Sequence, residues 1–250
     1  MKRKTLIYKT GVEYGDYTLN HVQGCSHGCT YPCYAFMMAK RFGKVKSYVE
    51  WMQPEIVENT MELLETELPR FKGKINLLHL CFTTDPFMYL HEDVSQISIQ
   101  ILQRANAEGI PCSVLTKGLL PEVLTELPLD NEYGITVVSL NEEFITRYEP
   151  GAAPIAERIA SLQALADSGK KTWISIEPYP TPNIIEQDLH EILEAVSFSD
   201  KIIFGRLHYN KVISAYPEYK QFYNECAKEV IAFCEERGIS YHIKKGTITE

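Results

Sequence analysis

The sequence predicts an α/β fold, an open, partial barrel of six β/α units, on three observations. Short β-branched and aromatic runs alternate with stretches of helical period almost from end to end, the order that yields parallel strands joined by crossover helices. No low-complexity tract, internal repeat or Pro/Gly-rich linker interrupts the alternation. Six units are too few to close an eight-stranded barrel of the TIM type, so the expected barrel stays open. With 250 residues, the chain is expected to be a single domain over 1–250, its core spanning about 18–238 between short terminal extensions.

Strands are expected at 18–22, 75–82, 110–116, 134–140, 172–177 and 201–205, with a seventh at the edge over 239–243. Between them lie helices with apolar residues three or four apart. One runs over 93–107, turns Val94, Ile97, Ile101 and Ala105 inward and ends at Gly109. Another begins at Pro154, carries Ile155, Ile159, Leu162 and Leu165, and stops at Gly169, with proline in the first turn and glycine past the end. A long last helix carries Phe222, Cys226, Val230 and Phe233 and is closed by Gly238. In such barrels chemistry sits where strands end and βα loops begin, so the polar residues at those ends carry the functional reading.

A net charge of −8 gives no general attraction to a polyanion, which usually draws a clustered basic patch; nucleic acid is not the expected substrate. There is no run of about 18 apolar residues, and the basic start leads into an apolar stretch too short for a signal peptide. A cytoplasmic protein without a membrane partner is expected. Its seven cysteines then read as thiols, ligands or core residues rather than a disulfide framework.

The first expected strand runs into Gly24-Cys25-Ser26-His27-Gly28-Cys29-Thr30-Tyr31-Pro32-Cys33. Three thiolates this close on one loop can converge on a metal centre. Three cysteines can fill three corners of a [4Fe–4S] cluster and leave one iron open, whereas electron-transfer clusters usually take four. The alternative is a non-catalytic zinc-binding protein with His27 or another residue as fourth ligand. Against zinc, no second Cys/His knuckle is present, and a domain of this size needs no metal staple. Cys112 lies in a strand, and Cys226 lies in the apolar stripe of the last helix, which also bears Cys234; with no other cysteines in a nearby loop, one cluster is expected.

At this point the sequence resembles the radical S-adenosylmethionine (SAM) superfamily, in the branch around spore photoproduct lyase and its relatives. The carriers are Gly-Cys-Ser-His-Gly-Cys at 24–29, Thr-Thr-Asp-Pro-Phe at 83–87, Leu-Thr-Lys at 115–117, Ser139, Tyr-Glu-Pro-Gly-Ala at 148–152, Arg158 and Ser-Ile-Glu-Pro at 175–178. The superfamily usually spaces its cysteines by three and then two residues; here Pro32 makes both gaps three, and His27 is the nearest substitute should Cys33 not be the third ligand.

The resemblance implies a radical SAM barrel, a [4Fe–4S] cluster on Cys25, Cys29 and Cys33, and S-adenosylmethionine cleaved reductively to a 5′-deoxyadenosyl radical that abstracts hydrogen. It also implies a low-potential electron donor such as flavodoxin or ferredoxin. For the cofactor's amino group it points to Thr83, Thr84 and Asp85, although Asp85-Pro86 can equally be only a turn. For the carboxylate it points to Lys117, Ser139 and Arg158, with Arg158 equally able to pair on its helix with Glu157 or Asp167; Glu177 can hold the ribose hydroxyls or simply pair with a cation. By their place after the sixth strand, across the mouth from the cysteines, Arg206, His208, Tyr209 and Asn210 are the candidates for substrate contact, with His208 equally able to be a structural hydrogen-bonder; Lys244 and Lys245 either add charge to the rim or form a solvated tail. Spore photoproduct lyase uses a cysteine just before the corresponding turn as hydrogen donor. Here Phe82 holds that place and Cys81 lies one residue earlier, where strand alternation turns it away; Cys81 is a weak candidate for that role. The absence of an evident added DNA-binding domain argues against a nucleic-acid repair lyase, the alternative within the superfamily.

Overall fold

The computed structural model describes residues 1–208 and 210–249. Eight strands form one sheet: β1 (Ile7–Lys9), β2 (Tyr17–Leu19), β5 (Leu78–Leu80), β6 (Cys112–Thr116), β7 (Glu132–Thr136), β8 (Lys171–Tyr179), β9 (Lys201–Arg206) and β10 (Ser240–Ile243), neighbours in that order. A separate antiparallel pair, β3 (Val22–Gln23) and β4 (Glu55–Ile56), flanks the cysteine loop. Apart from the antiparallel β1–β2 pair, all neighbours in the main sheet are parallel. The six expected strands are β2 and β5–β9, and the edge strand 239–243 is β10. The result is an open, partial TIM-like barrel.

The crossovers are helical. Helices α1 (Tyr34–Arg41), α2 (Tyr48–Trp51) and α3 (Thr60–Phe71) lie between β2 and β5, and α4 (Glu92–Ala107) between β5 and β6. Helices α5 (Glu142–Tyr148) and α6 (Ile155–Asp167) follow β7, and α7 (Leu189–Ala195) follows β8. After β9 come α8 (Lys211–Ser214) and α9 (Tyr219–Arg237), which stops at Gly238 in the left-handed conformation (φ 68°). Val94, Ile101 and Ala105 of α4 and Ile155, Leu162 and Leu165 of α6 are buried, as their spacing requires.

Three local expectations are corrected. The first strand ends at Leu19 rather than Val22, because Val22 and Gln23 pair with β4 outside the main sheet. Pro154 caps α6 in an extended conformation instead of opening its first turn. The strand expected at 134–140 begins at Glu132 and ends at Thr136, with Glu132 paired to Lys201 of β9 at 2.6 Å.

Strand β1 and the turn after it were not foreseen, and they matter to the site. Tyr14 of that turn meets Phe82 (ring centroids 5.7 Å apart), Trp173 (6.0 Å) and His242 (5.9 Å). Glu13 accepts the backbone N–H of Lys245 and lies 3.1 Å from His242. The turn therefore bridges the β2–β5 side of the sheet to β10 at the opposite edge. Among the described residues, no helix is long and apolar enough to cross a membrane.

Candidate active site

Cys25, Cys29 and Cys33 are free, half-buried thiols. The backbone N–H of Cys25 donates to the Trp51 carbonyl (2.8 Å), and the Cys29 carbonyl accepts the Tyr48 hydroxyl (2.5 Å). Cys33 is the residue before α1, and its carbonyl accepts the N–H of Met37 (3.0 Å). Cys29 and Cys33 line a cavity of about 760 Å³, while Cys25 packs behind, beside Val22, Met88 and Trp51. Pro32 falls where the chain leaves one support for the next. Thr30 is pinned to α5 through the Tyr148 carbonyl (2.9 Å), and Tyr31 stacks on Tyr148 (6.3 Å). One residue later Cys33 starts α1, so the extra residue is taken up between two anchored points.

His27 is turned to internal contacts. It is fully buried; Nε2 accepts the Tyr89 N–H (3.2 Å) and Nδ1 lies 3.5 Å from the Asp85 carboxylate. Both ring nitrogens are thus engaged, and burial depresses its pKa despite the Asp85 charge. Among the described residues, no three His, Cys, Asp or Glu side chains come together around one metal ion.

Beneath the cysteine loop lies a buried charge cluster. Glu149 lies 2.7 Å from Lys117 Nζ and 2.8 Å from Arg158 Nη1, and it accepts the Tyr31 hydroxyl, which in turn accepts from Lys117. Burial works against its carboxylate, but Lys117 and Arg158 outweigh that and hold its pKa at about 2. Lys117 Nζ also stands 3.7 Å from the Cys29 thiol. Burial alone would neutralise the ammonium, yet Cys29 and Glu149 raise its pKa and keep it charged. Burial pushes the Cys29 thiol up to about 11 and the Cys25 thiol well above its usual range. The next residues, Pro150 and Gly151, clamp the loop: Gly151 donates to the His27 carbonyl (2.9 Å), and a Cβ on Gly151 would fall 2.3 Å from the Ser26 carbonyl. Only glycine permits that approach.

The residues expected around the cofactor divide into two groups. Thr83, Lys117 and Glu177 line the same cavity as Cys29 and Cys33. Thr83 is fixed by Asn20 Oδ1, which accepts both its N–H (3.0 Å) and its hydroxyl (2.8 Å). Glu177 pairs with Lys244 at 3.1 Å, and burial raises its pKa.

The others are turned to internal bonds. The Thr84 hydroxyl donates to the Gly24 carbonyl. Asp85 accepts the N–H of Phe87 (2.9 Å), the Thr116 hydroxyl (2.7 Å) and the N–H of Lys117 (2.9 Å). Ser139 caps the Asn141 N–H at 3.1 Å. Arg158, fully buried, donates to the carbonyls of Ala153 (2.7 Å) and Thr136 (3.2 Å) and pairs with Glu149, rather than with Glu157 or Asp167.

β5 ends at Leu80 rather than at 82, so Cys81 lies beyond the strand at a positive φ of 69° and alternation does not set its direction; it is buried, with its thiol 3.4 Å from His21 Nδ1. Arg206 and His208 line the cavity; Asn210 caps α8 through Val212 (2.8 Å) and lines a smaller neighbouring cavity, and Tyr209 lies outside the described residues.

A family model of the radical SAM superfamily matches residues 19–196, the span from the end of β2 to just past α7. The chain belongs to the radical SAM superfamily. Membership implies S-adenosylmethionine and an iron–sulfur cluster. The chain is 28% identical over 201 residues, 74% of its length, to an uncharacterized protein, ORF301, of Acidianus two-tailed virus, and spans 64% of that protein.

Two solved structures share the radical SAM fold. A spore photoproduct lyase with dinucleoside spore photoproduct aligns over 97% of this chain and 80% of its own (TM-score 0.68, 14% identity). Streptococcus suis SuiB bound to precursor peptide SuiA aligns over 91% and 48% (TM-score 0.57, 13% identity).

The donors suit the superfamily's groups. All-thiol ligation is the soft set an iron–sulfur cluster takes, and thiols with pKa values raised by burial become thiolates only when a metal binds them. The sequence reading gave no role to Glu149, Tyr31 or the turn bearing Tyr14. The Tyr-Glu-Pro-Gly-Ala order marked Glu149 as notable without showing its partners.

Proposed function

We propose that this chain is a radical SAM enzyme holding a [4Fe–4S] cluster on Cys25, Cys29 and Cys33 and S-adenosylmethionine in the 760 Å³ cavity. The observation that carries the reading is that Thr83, Lys117 and Glu177, three chemically different cofactor-binding side chains from three strand ends, open on one space with Cys29 and Cys33.

When bound, the cluster and S-adenosylmethionine would supply one-electron reductive cleavage of the sulfonium and the hydrogen-atom abstraction that follows from it. The protein's own residues do the positioning. Lys117, charged and largely buried, offers an ammonium to the methionine carboxylate. The Thr83 carbonyl accepts from the amino group, and Glu177 accepts from the ribose hydroxyls. Asp85, Ser139 and Arg158 hold these segments in register through the bonds described above. Tyr14 and Phe82 line the cavity, with Trp173 packed against Tyr14, an aromatic group that limits water around a reactive radical. A low-potential electron donor such as flavodoxin or ferredoxin supplies the electron.

The test is anaerobic reconstitution with iron and sulfide, followed by strong reductant and S-adenosylmethionine. A brown protein that forms 5′-deoxyadenosine is expected. A colourless zinc protein that leaves the cofactor intact refutes the proposal. Binding to DNA with a steep salt dependence is not expected.

A further inference from the structure

On the part of the large cavity lined by the segments after β9 and β10, Arg206, His208, Lys244 and Lys245 gather beside Glu13 and Glu177. Strands β9 and β10 are parallel neighbours with Ile243 opposite Phe204, so the segments leaving them run side by side. One carries Arg206 and His208; the other carries Lys244, Lys245 and Gly246. They are tied together: Lys244 N–H donates to the Phe204 carbonyl (2.9 Å), and Arg206 N–H donates to the Thr247 hydroxyl (3.3 Å). Gly246 turns at φ 76° against both side chains, and a Cβ there would lie 3.7 Å from the His208 ring and 3.9 Å from Arg206 Nη2.

Arg206 is half-buried, yet its Nε is fully buried with no hydrogen-bond partner, and no carboxylate stands within ion-pair distance of its guanidinium among the described residues. The buried Nε faces protein, and the half-buried guanidinium, which no carboxylate among the described residues balances, lines both cavities; an arginine so placed suits an oxyanion. Lys244 is taken by Glu177 (3.1 Å), but Lys245 is exposed. The pKa of His208 is lowered by burial first and then by Arg206 and Lys244, the mark of a local positive potential in a chain whose net charge is −8. Arg206 and His208 also line a second cavity of about 350 Å³, on whose other wall stands Lys211, so the positive group lies at the junction of the two spaces.

We propose that Arg206, His208 and Lys245 form an oxyanion subsite that binds a phosphate or carboxylate group of the substrate, anchoring it in the large cavity with its reacting carbon toward the cysteines. The substrate class is thus a small molecule or chain end bearing an oxyanion. This assignment of the ligand as substrate rests on the radical SAM reading of the cavity; the subsite itself does not.

The test separates the two. Binding of inorganic phosphate and of acetate to the cluster-loaded full chain is measured by calorimetry, without reductant and with or without S-adenosylmethionine, while 5′-deoxyadenosine formation is scored independently on the wild type. Saturable binding is expected, with phosphate preferred if the substrate is a phosphate ester and acetate equal or better if it is a carboxylate. Arg206→Gln should weaken it about tenfold or more, the loss expected for charge-assisted hydrogen bonds. Arg206→Lys should fall between, keeping charge without the fork. Lys245→Glu, at an exposed position that cannot unfold the chain, should also weaken binding.

The subsite is refuted by the absence of saturable binding of either anion. It is refuted equally by unchanged affinity in folded Arg206→Gln and in Lys245→Glu. Loss of phosphate binding on adding S-adenosylmethionine also refutes it, since the anion would then occupy the cofactor's carboxylate position. Failure to form 5′-deoxyadenosine with anion binding intact overturns the radical reading and leaves the subsite standing.

Discussion

Replacing Glu149 with glutamine should destabilise the chain by about 3 kcal/mol, because that one carboxylate balances two buried cations. Its pKa falls from 4.5 to about 2 on folding, which at about 1.4 kcal/mol per pH unit amounts to about 3 kcal/mol. Breaking one partner out of a buried ion pair costs about 3–5 kcal/mol by mutation, so two independent routes agree. For a chain of this size that loss lowers the melting temperature by about 6–12 °C.

The sign of the pH dependence follows from the direction of the shift. A carboxyl whose pKa is depressed by folding contributes fully above about pH 4.5 and loses that contribution as the pH falls toward 2. Denaturant and thermal unfolding of the wild type and Glu149→Gln, followed by circular dichroism from pH 7 to pH 3, should therefore show a gap that is wide at neutral pH and narrows in acid. A melting temperature within about 1–2 °C of the wild type at pH 7, or a gap that does not narrow in acid, would show that Lys117 and Arg158 do not depend on Glu149.

Cys33→Ala should lose bound iron after reconstitution whereas His27→Gln should retain it, as read by iron content and visible absorbance; iron retained in Cys33→Ala together with its loss in His27→Gln would reverse the ligand assignment. Gly151→Ala places a methyl group 2.3 Å from the Ser26 carbonyl and should cost about 1–3 kcal/mol by overpacking, with slower cluster uptake; an unchanged unfolding midpoint would mean the clamp yields freely. Lys117→Met should weaken S-adenosylmethionine binding about tenfold or more in an equilibrium binding assay without reductant, and unchanged affinity would remove Lys117 from the carboxylate site.

Apolar period carried most of the fold in the sequence, since Ile101, Leu162 and Val230 announce helix faces wherever they fall. Strand β1 escaped because three residues hold no period, and its place is set by pairing Ile7 to Leu19 across a turn. At the site, the cysteine loop was legible from spacing alone, but the pairing of its supports was not. Tyr31, Lys117, Glu149 and Arg158 come from four separate segments, and no local pattern reports that they meet. By the resemblance Lys117 suited the carboxylate best, while Arg158 was equally ready to pair on its own helix. What separates them is which carbonyls and carboxylates tertiary structure brings within reach: Ala153, Thr136 and Glu149 engage Arg158, while Lys117 keeps its contact with the cavity. Arg206 Nε and Arg158 Nη2 are both buried without a partner among the described residues, but Arg158 is balanced by Glu149 and lies off the cavity wall, whereas Arg206 lines the cavity. A strand-end arginine on the reaction space that no carboxylate among the described residues balances is a stronger sign of a ligand than the residue type alone.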